Sequence, residues 1–100
     1  MTFEELVKVL HAHPPRDVIR RKKRNRTCTL PTQQHDDLMS LPSVSVMTDG
    51  FNLSGENFAV FEVPVSGGIA RILGVHKMQP DGSQRYEKCQ AIFTLGDGVR

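Results

Sequence analysis

Between Phe58 and Leu95 three β-prone segments follow one another, divided by two turn signals, and this pattern commits the second half of the chain to an antiparallel meander. Phe58–Val65 (FAVFEVPV) is apolar on both faces except at Glu62, so it predicts the strongest strand. Pro64 lacks a ladder donor, which places that end at a sheet edge or a bulge. Ser66-Gly67-Gly68 predicts a hairpin, and Ile69–Lys77 the returning strand, with Gly74 as a bulge. Pro80-Asp81-Gly82 marks the next turn. In Arg85–Leu95 the residues Cys89, Ala91, Phe93 and Leu95 alternate onto one face, against Lys88, Gln90, Ile92 and Thr94 on the other. Ahead of this meander, Ser43–Met47 predicts a weaker fourth strand, Thr48-Asp49-Gly50 a turn, and Asn52–Asn57 a loop.

The first forty-one residues read as helical. Thr2 and Glu5 have the spacing of a capping box, and Phe3, Leu6, Val7 and Leu10 form one apolar stripe behind it. Pro14 and Pro15 predict the end of this helix near Ala12. Pro15 then suits the first position of a second helix, Pro15 to about Arg24, with Asp17 near its N-terminus and Val18 and Ile19 as its core anchors. Arg16, Arg20, Lys23 and Arg24 would share its outward face, with Arg21 and Lys22 beside it. Like charges at i, i+4 oppose that helix, so it is expected to order fully only against a partner. Thr27–Leu30 is β-prone but short. A third helix follows over Gln33–Leu41, ending before Pro42. The fold class expected is therefore α+β, with two or three short N-terminal helices packed on a three- to four-stranded antiparallel meander. Residues 1–100 form a single small domain: a helical part (1–41), a sheet (42–95) and a frayed tail (96–100).

At 100 residues and 11.2 kDa, the chain has room for one thin core. No apolar run approaches the roughly 18 residues of a membrane span. Met1–His13 is interrupted by Glu4 and Glu5 and does not read as a signal peptide. Two cysteines, Cys28 and Cys89, do not make a disulfide framework and are expected as reduced thiols. A membrane span, a coiled coil and a multidomain enzyme are excluded on the same grounds. The expected location is the cytoplasm, or the nucleus if the source cell has one.

Charge carries the functional signal. Seven of the 13 Lys and Arg residues (Arg16, Arg20, Arg21, Lys22, Lys23, Arg24 and Arg26) fall within eleven positions beside one acid, Asp17. The rest of the chain holds six Lys and Arg against ten Asp and Glu. Crowded cations repel one another, and a polyanion that displaces their counterions relieves that repulsion. A phosphate backbone is the commonest such partner, and an acidic protein surface meets the same electrostatics. RRKKRNR also has the composition of a nuclear import signal. The segment has no aromatic residue, so contacts from Arg and Lys to phosphate are expected, with duplex DNA or structured RNA favoured over single strands stacked on aromatic platforms. The expected function is a small nucleic-acid-binding accessory or regulatory protein.

Two further classes are carried. One is a protein-interaction module or inhibitor, such as mobile elements encode, that uses a sheet edge or the first helix and meets an acidic partner with its basic stripe. The other is a small toxin-like ribonuclease, in which Glu62, Arg71, His76, Arg85, Tyr86 and Lys88 supply acid–base groups and cations. That resemblance is one of fold order only. Three helices before a hairpin also echo a winged helix-turn-helix, but the cations lie on the second helix and Asp36 and Asp37 open the third. Metal binding has little support, since His11, His13, His35, His76, Cys28 and Cys89 show no ligand spacing. No phosphate-cradling loop and no nucleophile elbow is present, and no cofactor is expected. A homodimer would bury an edge strand of so small a sheet.

Overall fold

A computed structural model describes residues 1–20, 23–51 and 57–95. Among these the chain is mostly antiparallel sheet. The helices are α1 (Phe3–Val9) and α2 (His35–Met39); the strands are β1 (Arg16–Arg20), β2 (Lys23–Leu30), β3 (Gln33–Gln34), β4 (Ser45–Phe51), β5 (Asn57–Val65), β6 (Gly68–Met78) and β7 (Gln84–Leu95). The sheet order is β1-β2-β7-β6-β5-β4, and β3 also pairs with β7. The expected α+β architecture is overturned: seven strands form one sheet, and two short helices cover part of one face.

The largest correction falls on Pro15–Arg24, which is not a helix. β1 and β2 form an antiparallel hairpin with Arg16 opposite Thr27 and Arg20 opposite Lys23. Cys28 and Leu30 explain why. Both are buried, and β2 from Arg26 to Leu30 ladders onto β7. The period of two that buries them carries back along the same strand to Arg26 and Arg24. Tertiary pairing thus outweighs a helical reading already weakened by like charges. Val18 and Ile19 are exposed, not core anchors.

Helix α1 has the expected capping box, with the Thr2 side chain accepting from the Glu5 amide and the Glu5 carboxylate accepting from the Thr2 amide. Phe3, Leu6, Val7 and Leu10 are all buried. The helix stops before the prolines act. His11 turns left-handed (φ 52°), its amide donates to the Lys8 carbonyl, and the Ala12 amide reaches the Val7 carbonyl, which is a Schellman ending without glycine. The buried Gln33 amide then ties this end to β3 by donating to the Leu10 and Pro31 carbonyls.

The third helix is present as α2, held by buried Leu38, with Leu41 buried just beyond it. The turn expected at Thr48-Asp49-Gly50 is strand instead, since β4 runs to Phe51 and pairs with β5. The hairpin at Ser66-Gly67 and the turn at Pro80-Asp81-Gly82 are as expected, with Gly67 and Gly82 at φ 83° and 86°. Pro64 lies past the end of the β4 ladder, which stops at Glu62, so its missing donor costs no pairing on that side. Residues 52–56 and 96–100, expected as a loop and a frayed tail, lie outside the described residues.

One face of the sheet carries the core. Ala59, Phe61, Val63 and Val65 of β5, Ala70 and Ile72 of β6, and Cys89, Ala91 and Phe93 of β7 join the α1 and α2 anchors in a single cluster. The expected bulge at Gly74 lies elsewhere. Val75 pairs with Lys88 but His76 pairs with Tyr86, so the extra residue is Glu87 on β7. That one-residue slip swings Tyr86 onto the covered face, where it is 2% exposed.

Candidate functional site

The described members of the predicted site lie on β1 and β2 rather than on a helix face. Arg16 begins β1, Arg20 ends it, Lys23 begins β2, and Arg24 and Arg26 follow along β2. Arg21 and Lys22, expected beside the helical face, lie outside the described residues. Among the described residues only Arg26–Leu30 of β2 ladder onto β7. The Arg20 and Lys23 end of the hairpin is therefore a two-stranded ribbon that runs beyond the last rung of the sheet.

The ribbon's two faces differ. On the covered side, the Arg26 guanidinium bonds the Glu4 carboxylate, lies 3.5 Å from Asp17 Oδ1 and sits 5.6 Å above the centre of the Phe3 ring. Arg24 lies 3.7 Å from Asp17 Oδ2. The Arg26 hydrogen bond holds the Glu4 carboxyl below its ordinary range. Arg24 and Arg26 thus have the protein's own carboxylates as partners, and Arg26 fastens α1 to the root of the ribbon.

Arg16 stands on the opposite side, because it pairs with Thr27 and Thr27 faces away from buried Cys28. No carboxylate among the described residues comes within ion-pair reach of it. It lines a cleft of about 580 Å³ together with His13, Thr27, Thr29 and Gln90. The His13 amide donates to the Thr29 carbonyl, which sets the cleft's outer wall against β2. Sequence reasoning missed His13, Thr27, Thr29 and Gln90. The signal was the alternation of Thr27, Cys28, Thr29 and Leu30, legible once 16–30 is read as a hairpin.

The residues considered for ribonuclease chemistry are not brought together. Glu62 and Arg71 face one another on β5 and β6, and the Arg71 guanidinium donates to the Glu62 carboxylate at 3.2 Å. Tyr86 is on the covered face, its hydroxyl 2.8 Å from His35 Nδ1 and its ring edge-on to Phe61 and His76. His76 shares that environment, with a buried Nδ1. Arg85 and Lys88 are exposed on β7. Acid and imidazole therefore sit on opposite sides of the sheet.

Cys28 and Cys89 are free, buried thiols; burial pushes the Cys89 thiol up to about 11 and raises Cys28 as well. No group of three or more His, Cys, Asp or Glu among the described residues is placed to hold a metal ion. No helix among them is long and apolar enough to cross a membrane. No protein-family model, curated protein or solved structure matches the chain.

Proposed function

We propose that this chain binds nucleic acid, as duplex DNA or structured RNA, by laying the β1–β2 ribbon along phosphates, and that it acts as an accessory or regulatory factor. The observation that carries this reading is the position of the cations. Arg16, Arg20, Lys23, Arg24 and Arg26 all lie on β1 and β2, whose far end runs past the last rung on β7 among the described residues. A two-stranded ribbon is narrow enough to enter a duplex major groove, and the arms past the last β7 rung, residues 18–20 and 23–25, each span about 10 Å. Neutralised phosphates release counterions, and that release supplies the affinity.

The test is a variant with Arg20, Arg21, Lys22 and Lys23 all replaced by alanine. Duplex affinity measured by fluorescence anisotropy at low salt is expected to fall by at least tenfold. Unchanged affinity in a folded variant contradicts the reading.

A second reading, a protein partner, is favoured by the edge strand β4, where Val46 and Met47 are exposed. A strand from an acidic protein, or from a second copy of this chain, would add to that edge by backbone pairing. The apolar strand β5 is internal, flanked by β4 and β6, and offers no such edge. Gel filtration with and without nuclease separates the two readings: a complex that survives nuclease is proteinaceous.

A further inference from the structure

We infer that the cleft between the His13–Arg16 segment and the exposed face of β2 and β7 is a phosphate-binding site, occupied by one phosphodiester of the bound duplex. This deepens the nucleic-acid reading and rests on it.

Three observations converge on this site. Five of the eight residues lining the cleft, Arg16, His13, Thr27, Thr29 and Gln90, carry side-chain N–H or O–H donors of the kind phosphate oxygens accept. No carboxylate among the described residues lines it. Finally, the hairpin's cations divide by face. Arg24 and Arg26 lie against Asp17 and Glu4 on the covered side, whereas Arg16 has no such partner among the described residues. An arginine sharing a cleft with two threonines can offer a phosphate both charge and directed hydrogen bonds.

The site also gives the ligand a path. Arg16 opens β1, so a nucleic-acid backbone held in the cleft can continue along that strand. β1 is the outermost strand of the order, which leaves that path open. Covered-side arginines then serve mainly to hold the ribbon in place, and the exposed-side cleft fixes the register of the duplex.

The experiment compares salt dependence of duplex binding for the wild type, Arg16→Ala, Arg16→Lys and the tip variant Arg21→Ala/Lys22→Ala, alongside amide spectra of the wild type with added duplex. Arg16→Ala is expected to weaken binding about three- to tenfold and to lower the salt slope by about 1. Arg16→Lys, which keeps the charge, should retain the slope. The Thr27, Thr29 and Gln90 amides should shift as duplex is added. If the tip variant lowers the slope while Arg16→Ala does not and those amides stay still, the cleft assignment fails and the ribbon reading stands. If the wild type does not bind duplex at low salt, the ribbon reading fails and takes the cleft's phosphodiester with it.

Discussion

The ring of Tyr86 fills the space that a side chain on Gly74 would need: a β-carbon there would lie 2.7 Å from the ring's Cδ1. Glycine on β6 is thus the receptor for an aromatic delivered by the β7 bulge at Glu87. The same ring packs edge-on against Phe61, and its hydroxyl meets His35 of α2. Gly74→Ala is expected to destabilise the fold by about 1–3 kcal/mol through overpacking, read as a lower urea midpoint. Tyr86→Phe keeps the ring and loses only the hydrogen bond, a cost of about 1 kcal/mol.

That contact marks the limit of what could be read from the chain. Alternation puts Cys89, Ala91, Phe93 and Leu95 on one face; the first three are buried together, and Leu95 is exposed. Alternation extended backwards puts Tyr86 on the other face, and nothing in the sequence announces the extra residue at Glu87. The capping box of α1 was legible because it depends on four consecutive residues. The β1–β2 hairpin was not, because its partner β7 lies sixty residues away and decides the outcome by pairing. The cations were found as a cluster. Their division between two faces needed the strand assignment, and with it the cleft partners of Arg16.

His11 ends α1 in a left-handed conformation that glycine adopts without strain. His11→Gly is expected to raise stability by about 0.5–1 kcal/mol, seen as a higher thermal midpoint. A lower midpoint would mean that the imidazole contributes more than the backbone strain costs.

Acid should weaken the fold through carboxyls whose pKa is lowered. Glu4 is held down by Arg26, Glu5 by the Thr2 amide and side chain, and Asp81 by the Ser83 hydroxyl and amide. Each group takes up its proton more readily in the unfolded chain. Its stabilisation is therefore complete above the ordinary carboxylate range, about 4, and is lost as pH falls through the lower folded values. Urea midpoints should drop between about pH 5 and pH 3, and Glu5→Gln should flatten that drop.

The buried thiols predict the opposite limb. With Cys89 raised to about 11, the folded chain keeps a proton that the unfolded chain loses above about pH 8.5. Stability from this group is complete below about pH 8.5 and declines as pH rises toward 11. A thiol reagent at neutral pH should leave both cysteines unmodified in the native protein and label both in denaturant.

Arg26 and Arg16 should separate stability from binding. Arg26 sits over Phe3 and bonds Glu4, so Arg26→Ala is expected to lower the thermal midpoint. Arg16→Ala should leave stability within about 0.5 kcal/mol of the wild type.

Whether the ribbon's cations meet phosphates is measured most directly by the salt dependence of duplex binding by the unmodified protein. With four to six phosphates neutralised, log affinity against log salt concentration should fall with a slope of roughly −4 to −5. A slope near zero, or no binding at low salt, would contradict it.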